Sequence, residues 1–328
     1  MPFSRYTESQ LRQLVDALGV VDGGAPEDVL RRLEQLQRGL EPEDEFSLVL
    51  SWLGQCRLVH KLGQEQLPLE SIGTYRVPDL LAVLDFNGRN IPVLIEVKHT
   101  EMADPSSLEE GILSLKPGYL SYAEALGLPL LIAWKHRTFW TLFDIRHAEL
   151  AITNYKIGFF RAMQENLLSL LAGDFSYRVV PGTAIRMRIK KLTPRDADGG
   201  FRGVIDDTYF VNAKGERLPD IPQLASLFLF WENEVELTED GDAIIQSFVI
   251  PDFEHGEFAS RTLGKVIGAF AAMRKERINW RSVIHDKAHW AHDSGRLRQV
   301  VEQGAKHGVI TDIFHFKPRR TPDFLGSL

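Results

Sequence analysis

Cysteine is almost missing from this 328-residue chain, in which Cys56 stands alone. A single thiol closes no intrachain disulfide, which removes the stapled secreted scaffolds and suits a reducing compartment. Long apolar runs are missing as well. LGLPLLIAW and LASLFLFW are the greasiest stretches, and both fall well short of the roughly 20 residues that span a bilayer. The opening MPFSRYTESQLRQL lacks the apolar core of a signal peptide. There is no P-loop, no GxGxxG, no Ser-x-x-Lys, no internal repeat and no low-complexity tract. These absences lead to the expectation of a soluble, cytoplasmic protein with no membrane partner. What is present is ordinary globular material: 44% hydrophobic and 10% aromatic residues, in a chain long enough for two domains at roughly 100–200 residues each.

Positive charge is scarce overall, with a formal net charge of −7. It is not evenly scarce. Residues 261–320 hold thirteen Lys and Arg against five Asp and Glu, so that stretch carries +8 and the remainder −15. The asymmetry is compatible with a local anion-binding face on an acidic body, or with a solvated surface.

Along the chain, residues 1–40 read as an N-terminal helical segment. TESQLRQLVDAL opens on a Thr-x-x-Gln capping box, and Pro26 starts PEDVLRRLEQL. A third helix is expected from about Pro42 to His60. The period then shortens. YRVPDLLAVLDF and IPVLIEVKHT are β-branched and apolar, and Asn87-Gly88 between them is a hairpin signal. SLEEGILSL and GYLSYAEALG read as helix, broken at Pro117-Gly118, and LPLLIAW and TFWTLFDI as strands. This order predicts a compact α/β unit over about residues 41–150. Residues 151–328 read as a mixed α+β C-terminal domain. NYKIGFFRAMQENLLSLLA looks helical there, YRVVPGTAIRMRIKKL extended, and the helix GRLRQVVEQGAKH with the strand VITDIFHF suggests a winged-helix-like end.

The hairpin permits a geometric test. If Asn87-Gly88 is a two-residue turn, paired residue numbers sum to 175 and Asp79 lies opposite Glu96. A four-residue loop shifts the sum to 177 and sets Asp79 opposite Lys98. Side chains alternate along a strand and directly opposed residues share a face, so both registers collect Asp79, Glu96 and Lys98 on one face. The run Val93, Leu94, Ile95, Val97 marks a strand buried on both faces. Facing carboxylates in such surroundings repel unless a cation lies between them, and oxygen-only ligands favour a hard ion such as Mg²⁺ or Mn²⁺. Glu45 heads the apolar stripe of the preceding helix, Leu48, Val49, Trp52, Leu53 and Cys56. It is either a further member of the cluster or an acid favoured by the helix dipole.

Pro78-Asp79 followed seventeen positions on by Glu96-Val97-Lys98, on two strands of a legible hairpin, resembles the PD-(D/E)xK nuclease superfamily. That group includes restriction endonucleases and Holliday junction resolvases, and the likeness spans about residues 41–145. It implies a restriction-endonuclease-like mixed sheet flanked by helices, and Mg²⁺-dependent hydrolysis of phosphodiesters, with Mn²⁺ able to substitute. Asp79, Glu96 and the Val97 carbonyl would hold the ion. Lys98 would orient or activate the attacking water or stabilise developing charge. Glu45 matches the superfamily's variable helix carboxylate, and Lys116 or Tyr119 would reach the scissile phosphate. The expected partner is nucleic acid, DNA ahead of RNA, and a homodimer is the assembly to test. The competing reading is a nucleic-acid-binding or interaction module on a catalytically inactive nuclease fold.

Elsewhere, Arg186, Arg188 and Lys190 alternate along one strand and would line a phosphate track, or else protect a sheet edge. In the basic stretch, Arg274, Arg281, Arg296 and Arg298 are expected on or near exposed helix faces against the nucleic-acid backbone. His285, His289 and His292 share one face if helical, but no cysteine or nearby acidic run completes an obvious zinc set.

Overall fold

The computed structural model describes residues 42–63, 66–100, 111–193, 200, 202–219, 234–252, 256–273 and 296–326. The expected helices before residue 41, the histidine trio, Arg274 and Arg281 lie outside them.

The chain enters through α1 (Pro42–Leu53), with Glu43, Asp44 and Glu45 in its first turn, where carboxylates complement the helix dipole. Phe46, Val49, Leu50 and Leu53 are buried on its inner side. The helix stops earlier than the sequence suggests. Gly54 takes φ +94°, a left-handed conformation that glycine adopts without a Cβ penalty, and the chain turns into β1 (Cys56–Lys61). Cys56 continues the helical stripe by spacing alone. In the structure it opens a strand paired antiparallel with β2 (Leu80–Phe86).

β2 runs into β3 (Arg89–Thr100), which lies parallel to β5 (Leu130–His136), itself antiparallel to β6 (Phe139–Asp144). The result is a mixed five-stranded sheet of order β1-β2-β3-β5-β6. α1 covers one face, over Val93, Ile95, Val97, Leu131, Ala133 and Leu142. Leu94, Ile132, Trp134 and Phe143 point to the other, beneath α2 (Gly118–Leu126). That second face also carries β4 (Ile112–Leu115), which forms a small sheet with β7 (Glu149–Leu150) and β8 (Tyr155–Gly158). Residues 112–115 and 155–158 therefore correct the helical reading of GILSL and YKIG. Leu113 and Leu115 are buried while Ile112 and Ser114 are exposed, a two-residue period too short to tell from a helix by sequence. Helix α3 (Phe159–Gln164) follows.

Beyond it, β10 (Ala184–Lys191) is central to a four-stranded antiparallel sheet, β11-β10-β13-β12, with β11 Gly203–Val211, β12 Glu234–Asp240 and β13 Ala243–Val249. A third sheet sets β9 (Ser176–Val179) between β14 (Glu257–Phe258) and β15 (Ile310–Phe314). Helices α4 (Ala259–Met273) and α5 (Arg296–Lys306) complete the C-terminal part. Gly308, at φ +68°, closes α5 as its position suggests. β15 pairs with the distant β9. One apolar cluster runs from α1 and the five-stranded sheet through Leu167, Tyr177, Leu263 and Val301 to Leu325. Among the described residues no helix is long and apolar enough to cross a membrane.

Candidate active site

The turn between β2 and β3 fixes the site. Asn87 and Gly88 have φ +52° and +78°, the pair of left-handed residues of a two-residue I′ turn, and Gly88 donates its amide to Asp85 Oδ1 at 2.9 Å. Phe86 pairs with Arg89, and the ladder runs without a slip to Leu80 and Ile95. The next positions are Asp79 and Glu96. Across β3 and β5, Glu96 pairs with Ile132, Lys98 with Trp134 and Thr100 with His136. Glu96, Lys98 and Thr100 thus share the α2 side of the sheet.

Asp79 stands where β2 begins. Its carbonyl accepts from Leu62 N at 2.8 Å, and its carboxylate Oδ2 accepts from the Val97 amide at 2.8 Å. The side chain therefore takes the place of a ladder partner and is held against β3. Glu96, 1% exposed, is ion-paired through Oε1 to Lys98 Nζ, while Nζ also lies 3.3 Å from the Val97 carbonyl. Tyr119, in the first turn of α2, presents its ring 5.5 Å below that ammonium.

The electrostatics follow from burial. Loss of water pushes Glu96 up to about 7; Lys98 works against the rise and Asp79 adds to it. Burial also works against the Lys98 ammonium, but Glu96 outweighs it and the lysine stays above its usual value. Burial, and then Glu96, raise Tyr119. The Tyr119 hydroxyl acts on the Glu96 carboxylate as a hydrogen-bonding neighbour and works against its rise, yet among the described residues no donor stands at full hydrogen-bond distance from the buried Oε2. An unpartnered buried carboxylate oxygen is costly, and beside Asp79 it fits a hard divalent cation of oxygen ligands. Among the described residues no group of three or more His, Cys, Asp or Glu gathers, so such an ion would complete its shell with carbonyl, water or phosphate oxygen.

Glu45 is not brought to this cluster. Both its oxygens accept from Lys135 Nζ, at 2.8 and 2.6 Å, and Oε1 accepts from Trp140 Nε1 at 3.2 Å. Lys135 pairs with His99 and with Trp140 across the ladders, which places it on the α1 face, opposite Glu96. The helical stripe correctly buries Glu45 but cannot say on which side of the sheet it arrives. Lys116 is exposed just before Pro117.

The expected phosphate track on β10 is largely neutralised. Arg188 meets Asp206 at 2.6 Å, Asp242 at 3.2 Å and Asp240 at 3.4 Å. Lys190 lies 3.9 Å from Asp242, and Arg186 is partly buried with Nε unpartnered. In α5, Arg296 is the first residue. Arg298 is half-buried, donating to the Gly173 carbonyl at 3.1 Å and lying 5.8 Å over Phe175. It serves as packing rather than a free cation.

Sequence reasoning missed a polar chain on the site's own face. Trp134 Nε1 donates to Thr100 Oγ1 at 3.0 Å, and Thr100 Oγ1 lies 3.0 Å from His136 Nδ1. Burial, with Arg137 and His99, lowers the His136 pKa, which favours a neutral imidazole. The signal was available: Thr100 follows Lys98 by two positions, the period of the face.

No protein-family profile matches the chain, and no curated protein matches it. Among solved structures, a Holliday junction resolvase of the archaeal hyperthermophile Archaeoglobus fulgidus is 23% identical, covering 35% of this chain and 87% of that one, with a TM-score of 0.25. So loose a likeness transfers no function.

Proposed function

We propose that the protein is a divalent-metal-dependent endonuclease that hydrolyses phosphodiester bonds in DNA. The observation that carries this is Glu96, a buried carboxylate with one oxygen held by Lys98 and the other with no donor at full hydrogen-bond distance among the described residues, opposite a second carboxylate fixed on the Val97 amide. Asp79 and Glu96 are the residues that would hold Mg²⁺ or Mn²⁺, with the Val97 carbonyl a further oxygen at hand. A bound ion would supply Lewis-acid stabilisation of phosphoryl charge and a more acidic water.

The protein's own contribution is placement. The Asp79–Val97 bond fixes one carboxylate to the strand that bears the other, so their spacing does not depend on flexible loops. Lys98 is an ammonium and therefore a donor only. It serves to orient water or to stabilise charge on a phosphoryl oxygen, not to accept a proton. Tyr119 closes the face beneath it and limits its rotamers.

One observation favours the alternative, a nucleic-acid-binding module without turnover: the third carboxylate, Glu45, is committed to Lys135 on the far face. Supercoiled plasmid incubated with Mg²⁺ or Mn²⁺, against EDTA, separates the two. The enzyme reading expects metal-dependent nicking by the wild type that Glu96→Gln abolishes. DNA retention without nicking under either ion would establish the binding module instead.

A further inference from the structure

One cation beside the site is held in place yet has no carboxylate partner among the described residues. Arg76 lies three residues before Asp79, on the segment that leads into β2. Its amide donates to the Gly118 carbonyl at 3.0 Å, and its stem crosses the face of Gly118. A Cβ at residue 118 would stand 3.1 Å from Arg76 Cγ and 3.2 Å from the Thr74 carbonyl. Only glycine leaves that slot open without the arginine moving. Gly118 in turn precedes Tyr119, the residue under the Lys98 ammonium. The lock therefore joins the entry to Asp79 with the first turn of α2.

Several cations elsewhere on this sheet and the helix beside it are spent. Lys98 is paired with Glu96, Lys135 with Glu45, and Arg261 and Lys265 with Glu257. Arg76 is exposed and has no carboxylate partner among the described residues. Holding the stem of a free guanidinium reduces the entropy lost when it closes on a ligand, and its planar fork suits a phosphate. Three residues span at most about 10 Å. With the length of the side chain, that is within reach of a phosphate one or two nucleotides from the cluster, since a strand rises about 3.4 Å per nucleotide.

We propose that Arg76 binds a backbone phosphate flanking the scissile one and so sets the position of the strand over Asp79 and Glu96. This rests on the nuclease reading for its purpose, but its test does not need cleavage. Arg76→Met keeps an unbranched stem across Gly118 and removes the charge; Arg76→Lys keeps the charge and loses the fork. Full-length proteins are titrated with a fluorescein-labelled DNA duplex in Ca²⁺ buffer across a salt series. One lost phosphate contact should reduce the slope of log affinity against log salt by about one unit. Affinity at low salt should fall about tenfold for Arg76→Met, with the Arg76→Lys slope matching the wild type. An unchanged slope in Arg76→Met, or the same loss in both variants, overturns the assignment. If the wild type binds with the expected slope but nicks nothing in Mg²⁺ or Mn²⁺, the nuclease reading fails while Arg76 stands as a phosphate contact. Should Arg76→Met not fold, the Arg76→Lys protein decides, since a lowered slope there contradicts a charge contact.

Discussion

Replacing Asp79 separates two roles that the structure gives one side chain. Its Oδ2 accepts the Val97 amide at 2.8 Å, and its charge adds to the repulsion felt by Glu96. Asp79→Ala removes both. Val97 is buried, so its amide is left without a partner, at a cost of about 1–3 kcal/mol, partly offset by relief of the repulsion. Asp79→Asn keeps an acceptor for that amide and removes only the charge. In EDTA at pH 8 the asparagine protein should therefore be as stable as the wild type or more so, and the alanine protein less stable than the asparagine protein by about 1–3 kcal/mol. Urea denaturation monitored by tryptophan fluorescence measures the difference. Mn²⁺ then tests the second role. Wild type at one hundred times the dissociation constant should gain about 2.7 kcal/mol, and neither variant should gain it. Equal stability of the two variants in EDTA would mean that the Asp79–Val97 bond does not hold the strand, and Mn²⁺ stabilisation of Asp79→Ala would remove Asp79 from the ligand set.

Lys98→Ala should stop cleavage and leave Mn²⁺ binding measurable by calorimetry, because an ammonium ligates no cation; equal loss of binding in the Lys98 and Asp79 variants contradicts the assigned roles. Asp174 offers a pH test away from the site. It accepts from Ser260 N, Ser260 Oγ and Phe175 N, yet burial lifts it to about 6. A folded value above the unfolded one stabilises fully below pH 3.8 and is lost as pH rises through 6, so the stability of wild type relative to Asp174→Asn should fall by roughly 2 kcal/mol between pH 4 and pH 7. A difference flat across that range refutes it. On β10, Arg188→Gln should leave the salt slope of DNA binding unchanged, since three aspartates already hold that guanidinium; a drop of about one unit would restore the strand as a phosphate track.

The site was legible where chemistry is local. Asn87-Gly88 dictates the turn, the turn dictates the register, and a period of two then collects Asp79, Glu96 and Lys98 without any long-range knowledge. Glu45 shows the limit. Helical spacing identifies its buried side, but its partner Lys135 lies 90 residues away, and only the parallel β3–β5 pairing decides which face they share. The β10 cations fail for a related reason: sequence counts charges, whereas Asp206, Asp240 and Asp242 arrive from neighbouring strands. Cys56–Lys61 and Ile112–Leu115 differ from the helical reading because segments of four to six residues are too short to separate the two periods, and strand pairing decides between them. Arg76 was passed over because its role appears only once Gly118 is seen to make room for its stem.

The central claim is that Asp79 and Glu96 together hold a divalent cation beside Lys98. A crystal soaked in Mn²⁺ and measured at a wavelength where manganese scatters anomalously tests it directly. The account predicts an anomalous peak within about 2.0–2.3 Å of carboxylate oxygens from both Asp79 and Glu96, with Glu96 Oε2 among the ligands. A saturating soak that leaves no peak between those two carboxylates, or sets the manganese on other residues, would contradict it.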